Sequence, residues 1–446
     1  MLRFLPVFLL LAACRSAPDA PPAPELLLEN GFLVDPRTRL VTKGSLLLRG
    51  GRIVRRYAQP PVRYRGPRLD VAGRYVLPAL ADLHVHSIGN SGATATADPM
   101  SIAEVTRRQL YCGVTRVLDL FNAEDSVFAL RNRQRVAQTA HPLTGATLYC
   151  AGPALTCPGG HGTEYGSPTR TVASPVEAER AIASLATRRP DVVKIIYDHF
   201  ATWLPTIDQP TLRAAVRAAP QRHLKTVVHV GTWQDAREAL QAGATAVTHV
   251  PPGPLPADLS ALFIARGAYF IPALTVQTEL AHFGQDSTLL ADSLLRQVAS
   301  PALLRSYRQP DGYPPQIVAF SRWQARTEPD VQRSVRALNA AGVKLLTGTD
   351  AGNPGTFQGY SLHRELELLV GAGLTSWEAL TATTVRAGEF LGEPIGLAVG
   401  DRADLLVLRC SPVGDIRHTR TLVHVIQRGR LVERAALLAA SRRLMR

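Results

Sequence analysis

Val192-Val193-Lys194-Ile195-Ile196-Tyr197 is β-branched or aromatic at every position but one, and that one is a lysine. A short run that is apolar on both alternating faces describes a strand covered on both sides, as in a parallel sheet wrapped by helices. Helical stretches flank it at Glu177–Arg188 upstream and at Trp233–Ala242 and Leu259–Arg266 downstream, with strand-like runs Thr226–Val230 and Ala246–Val250 between them. Further out the alternation continues. Leu83–Ser87, Val114–Phe121 and Ala146–Cys150 precede the run, and Tyr269–Leu274 and Lys344–Thr349 follow. Eight such units predict an α/β fold, a (β/α)8 TIM-type barrel over 79–394. The interval 277–342, before the last strand, is long and carries Gln309-Pro310-Asp311-Gly312-Tyr313-Pro314-Pro315. Insertions of this length act as lids or substrate-binding segments, or are surface excursions.

Both ends of the sequence are strand-rich. Glu25–Glu29, Ser45–Arg49 and Arg52–Val54 lie within 26–78, punctuated by Asn30-Gly31, Gly50-Gly51 and Ala72-Gly73. Ala403–Leu408 and Leu422–Ile426 lie within 395–446. Two half-sheets at opposite ends most simply pair, which predicts a small β-sandwich beside the barrel.

Six ionisable residues sit in or at the ends of the barrel runs: His84 and His86, Lys194, His229, His249 and Asp350. So many polar groups in apolar strands are costly unless they share a partner. Imidazoles and carboxylates are zinc-type ligands. His84 and His86, two apart, share one face of a strand, as two ligands to one ion must. The chain has four lysines against 46 arginines, yet one of the four is Lys194. Burial lowers a lysine pKa, and a neutral amine takes up carbon dioxide as a carbamate able to bridge two cations. The alternative is an ion pair with an acid such as Asp198.

With these motifs the chain resembles the amidohydrolase superfamily, in its imidazolonepropionase-like and prolidase-like branch. The resemblance rests on Leu83-His84-Val85-His86, Lys194, His229, His249, Gly348-Thr349-Asp350-Ala351-Gly352 and Gly400-Asp401-Arg402-Ala403-Asp404-Leu405. It implies two divalent ions, zinc by default. His84, His86 and Asp350 would hold one and His229 and His249 the other, with N6-carboxylated Lys194 between them. It also implies cleavage of an amide (C–N) bond in a small substrate, such as an N-acyl amino acid or short peptide. A metal-bridging hydroxide would attack, with Asp350 as base and then acid. His161, in Pro158-Gly159-Gly160-His161-Gly162, would polarise the carbonyl or bind a substrate carboxylate, or is a loop histidine on a glycine turn. Tyr197 and Asp198 could face the pocket, in a supporting or substrate-binding role; His363 is given no catalytic one. Lactone or ester hydrolysis is the alternative activity, and a non-enzymatic binding lipoprotein the alternative class.

Two positions depart from relatives. Mononuclear deaminases place a Glu where Thr232 stands, which together with Lys194 argues against deamination. Dipeptidase-type relatives often carry a Tyr where Gly231 stands, which puts ordinary prolidase activity in question.

Met1–Ala13 combine one arginine with a short apolar run, as secretory signals do. Leu11-Ala12-Ala13-Cys14 resembles a bacterial lipobox, which predicts lipidation of Cys14, a Pro-rich tether over 15–25 and a membrane-anchored envelope protein. Arg15 after the cysteine points to the outer membrane of a Gram-negative cell. A formal charge of +14 is spread without a dense basic run, so nucleic acid is set aside as a partner. At 46% hydrophobic residues the chain is not disordered. Cys150 and Cys157 could close a small loop or remain thiols.

Overall fold

The computed structural model describes residues 25–91, 98–137, 144–165, 169–200, 202–283, 285–309 and 312–443. The predicted signal segment, Cys14 and nearly all of the tether lie outside these residues. Eight parallel strands build the barrel: Leu80–Val85, Val114–Asp119, Thr147–Cys150, Val192–Tyr197, Lys225–Val230, Ala246–Thr248, Tyr269–Ile271 and Lys344–Leu345. Ladders join strands one to three and four to eight. Backbone bonds close the two remaining seams. Asp191 N donates to Cys150 O at 2.9 Å between strands three and four, and Leu83 N donates to Thr347 O at 2.9 Å between strands one and eight. The expected barrel is therefore present, and Val192–Tyr197 is buried at every position.

Five strands, the first, second, sixth, seventh and eighth, stop earlier than their apolar runs suggest, and in the last three the backbone shows why. His249 and Ala273 take left-handed backbone, at φ 73° and 52°, ending strands six and seven. Leu346 N still donates to Phe270 O, and beyond it the eighth strand leaves its seventh-strand ladder and bonds strand one, with Thr349 N and Asp350 N both donating to His84 O. Apolar content alone does not register such a switch of partner.

The outer helices begin at side-chain caps that satisfy their first amides. Ser174 caps Pro175–Ala186, Asp208 caps Gln209–Ala218, and Thr232 forms a capping box with Asp235 ahead of Trp233–Ala242. Position 232 thus serves helix capping here. The long interval is helical, with Leu274–His282 and Pro315–Ala340 its largest elements, and it surrounds a satellite core that includes Leu295, Leu303, Tyr307 and Phe357.

The chain ends meet in one eight-stranded sheet. Leu405–Leu408 pairs antiparallel with Tyr75–Pro78 on one side and Leu422–Gln427 on the other. The sheet also curls back on itself. Ala403 N donates to Gly51 O, and Gly400 N to Ile53 O, so its faces enclose a core of Leu28, Leu46, Ile53, Leu405 and Ile426. The expected sandwich is this single curled sheet. All four described cysteines, Cys150 and Cys157 among them, are free. Among the described residues no helix is long and apolar enough to cross a membrane.

Candidate metal centre

At the C-terminal mouth of the barrel, His84, His86, His161, Lys194, His229, His249 and Asp350 line one cavity of about 90 Å³, together with Phe121, Ile196 and Asn353. A larger, more open hollow of about 250 Å³ lies among Arg37, Glu389, Glu393 and Ile395, and no metal-ligating group falls in it among the described residues. The smaller cavity is the chemical one.

Its first cluster is His84, His86 and Asp350. Asp350 Oδ1 lies 2.7 Å from His86 Nε2 and 3.1 Å from His84 Nε2. Hydrogen bonding fixes which nitrogen of His84 is free. The Thr248 hydroxyl donates to Ile271 O, so its oxygen is left to accept from His84 Nδ1 at 2.9 Å. Nε2 then carries a lone pair, and Lys194 Nζ, 3.2 Å away, donates to it. A lone pair and a carboxylate oxygen that face each other repel unless a cation lies between them. Asp350 Oδ1 is, besides, buried with no aligned donor. Two imidazoles and a carboxylate converging in this way fit a divalent ion.

Electrostatics support the same reading. Burial drives His84 and His249 well below the ordinary histidine range, and lowers His229 too, which leaves neutral rings with lone pairs to offer. Burial works against the charge on Asp350, yet the neighbouring His84 and His86 hold it well below the usual carboxylate range. Burial also takes Lys194 down to about 7, so near neutral pH much of it is the uncharged amine.

Around His229 the partners differ from those expected. The second cluster is His161, Asp198 and His229. His249 lies between the two clusters, its ring 5.0 Å from that of His84 and 4.4 Å from that of His229. His161 does face the cavity, its ring 5.1 Å from His229, with Glu164 Oε1 at 2.6 Å from its Nδ1. Tyr197 does not. Strand parity sends Lys194 and Ile196 inward and Tyr197 outward, into the core between strands and helices, where its hydroxyl donates to Glu238. The expected pocket role of Tyr197 is corrected; Asp198 takes the inward direction. His363 is buried away from the site, between Thr419 Oγ1 and Cys112 O.

Residues not singled out from the sequence hold the ligands in place. Asp82 accepts from Thr349 N, Thr349 Oγ1 and His84 N, and so ties strand one to strand eight beside His84 and Asp350. Asp119 accepts from Ser87 N and Phe121 N, next to His86. A Cβ on Gly348 would come within 2.6 Å of His84 Cβ, so only glycine lets strand eight pass that ligand. His249 and Asp350, at φ 73° and 57°, are strained conformations of a kind that gathers at functional sites.

Solved structures of the same architecture are numerous. One is a Xaa-Pro dipeptidase with bound methionine, 21% identical, aligned over 92% of this chain and 100% of that one at a TM-score of 0.76. Another is a putative prolidase from Bifidobacterium longum, 24% identical over 95% and 100% of the two chains, TM-score 0.71. A third is the A. niger ochratoxinase, 18% identical over 92% and 96%, TM-score 0.69. No curated protein matches the sequence. These likenesses establish the fold. The amidohydrolase family model matches residues 75–432, from the last strand before the barrel to the end of the returning sheet, and the chain therefore belongs to the amidohydrolase family of hydrolases acting on carbon–nitrogen bonds.

Proposed function

We propose that this chain is a binuclear metal hydrolase that cleaves an amide bond of a small substrate, an N-acyl amino acid or a short peptide. The observation that carries the reading is the convergence of His84 Nε2, His86 Nε2 and Asp350 Oδ1 beside Lys194, with His229 and His249 across the same cavity. These residues would hold two divalent ions, zinc by default for such donors, which when bound would supply acidification of water and polarisation of a carbonyl.

The chain's own residues do the rest. Lys194, as a neutral amine, attacks carbon dioxide: an Nζ–C bond forms as one C=O π bond opens, one Nζ proton passes to water, and the resulting carbamate carries a single negative charge shared by its two oxygens. Asp350, ionised at the cavity floor, takes the proton of the attacking water and returns it to the leaving nitrogen. His161, held at Nδ1 by Glu164, lines the cavity beside His229, where it would meet the substrate. Phe121 and Ile196 form the apolar wall that limits water. The lipobox-like Leu11–Cys14 extends the proposal to an envelope protein anchored through Cys14. A Cys14→Ser variant recovered in the membrane fraction like the parent would refute that part.

The test of function is metal content and hydrolysis on protein purified without chelators. About two metals per chain, falling in Lys194→Ala, with turnover of N-acyl amino acids or dipeptides, supports the proposal. One metal indifferent to Lys194, or no turnover of any amide by the metal-loaded protein, overturns it. Turnover of lactones alone would transfer the same site to the ester-cleaving reading.

A further inference from the structure

Gly231, two residues past the fifth-strand histidine, has no room for a side chain. A Cβ there would lie 1.8 Å from Asp198 Oδ1, 2.7 Å from Asp198 Cγ and 2.7 Å from Phe200 Cβ. Such overlap means that the missing side chain and the Asp198 carboxylate claim one volume. The carboxylate is held there from two sides. Phe200 N donates to Oδ1 at 2.8 Å, and His229 Nε2 lies 3.4 Å from Oδ2. Asp198 is itself largely buried, and its backbone N donates to Thr206 Oγ1 at 3.1 Å. Gly231 is fixed in turn, its N donating to Asp235 Oδ2 at 3.2 Å in the capping box of Trp233–Ala242. Neither partner can retreat cheaply.

From this geometry we infer that Asp198, in the space left open by Gly231, is a positioning residue that accepts from His229 Nε2 and so presents Nδ1 of that ring to the metal. The logic is the one already seen at His84, where Thr248 takes one ring nitrogen and frees the other. A histidine with a carboxylate on one nitrogen is fixed in tautomer and in orientation, and is the more basic for it. The two histidines, on the first and fifth barrel strands, thus use opposite nitrogens: Nε2 for His84, Nδ1 for His229. The glycine at position 231 and the acid at position 198 are thus one steric feature of this chain, since a side chain at 231 and the Asp198 carboxylate exclude each other.

The inference rests on the binuclear reading, and the experiment separates the two. Zinc stoichiometry and affinity would be measured by competition with a chromophoric chelator on the full chain and on Asp198→Ala, Asp198→Asn, Gly231→Ala and the double variant Asp198→Ala/Gly231→Ala. Thermal melts of the metal-free forms verify folding. Wild-type protein that binds fewer than two zinc ions removes the binuclear reading itself. Given two, the inference expects Asp198→Ala and Gly231→Ala each to weaken one zinc about 10–100-fold, the usual cost of losing such a partner. The double variant should be no worse than Asp198→Ala, because no carboxylate remains for the new methyl to displace. Asp198→Asn should keep most of the affinity, since its amide oxygen still accepts from Nε2. Wild-type affinity in Asp198→Ala overturns the inference. So do losses that multiply in the double variant, and so does an Asn variant as weak as the Ala variant, which would mean direct coordination by the carboxylate. Should Gly231→Ala fail to fold, the Ala and Asn variants at 198 decide the question alone.

Discussion

At the scale of single residues, the tautomer of His84 decides what the cavity can hold, and Thr248 decides the tautomer. In Thr248→Val the shape is kept and the acceptor lost. Ile271 O stays satisfied by His249 N at 3.0 Å, so the damage falls on His84 Nδ1, whose proton is left buried without a partner. The expected outcome is a 10–100-fold weaker metal, with about 1–3 kcal/mol lost in the metal-free protein. Metal titration and denaturant unfolding measure the two effects separately, and unchanged affinity would show that Thr248 does not set the ring. The residues that line the cavity were legible in the sequence, because His84, His86, Lys194, His229, His249 and Asp350 are each an ionisable group stranded in or at the end of an apolar run. Asp82 carries the same signal, an acid within Leu80-Ala81-Asp82-Leu83 two residues before His84, and its role in tying strand one to strand eight depends on contacts with Thr349 that no local pattern marks. Parity from Lys194 could have told Asp198 from Tyr197. Nothing local marks Glu164 as the partner of His161, since that contact depends on how a glycine turn folds.

At the scale of elements, strand number and order followed from the apolar runs, whereas strand ends did not. His249, Ala273 and Asp350 turn left-handed where composition alone would let a strand continue. The inner structure of the long insertion was equally hidden, because its short helices pack into a satellite core with Phe357 and Tyr360 while Pro315–Ala340 turns Val331, Val335 and Leu338 into the main core. One contact there yields a pH prediction. His363, on Ser361–Gly371, donates from Nε2 to Cys112 O and turns Nδ1 to Thr419 Oγ1, joining that helix to Ile416–Arg420. Burial lowers its pKa from 6.5 to about 4. A proton that binds more readily in the unfolded chain destabilises the fold as pH falls. The contribution is thus complete above pH 6.5, declines as pH falls, and is gone below 4, amounting to about 3 kcal/mol. Denaturant unfolding across that window should show the slope, and His363→Gln should flatten it. A slope of equal size in the variant would assign the effect to other groups.

At the scale of the whole molecule, the returning sheet and the barrel are joined at the end of the barrel opposite the metal centre. Arg116, on the second barrel strand and fully buried, pairs with Asp404 at 2.9 Å and with Glu393 at 3.1 Å. Arg402 reaches the same Glu393 at 2.6 Å, and Arg428 N donates to Asp404 Oδ1 at 2.5 Å. Asp404 lies one residue before Leu405–Leu408, the strand that stitches the two ends of the chain together, so this acid locks the C-terminal return against the barrel. Buried ion pairs need not stabilise relative to apolar packing, but removal of one partner strands the other. Asp404→Ala leaves the Arg116 guanidinium without its closest anion in a dry interior. The expected cost is about 3–5 kcal/mol in denaturant unfolding, with metal content per folded molecule unchanged because the cavity lies at the other mouth. Loss of metal at full folded yield would instead mean that the two ends of the barrel are coupled. A conservative Asp404→Asn, which keeps an acceptor for Arg428 N while removing the charge, should fall between parent and Ala, and that ordering distinguishes the ion pair from the backbone contact as the source of the lock.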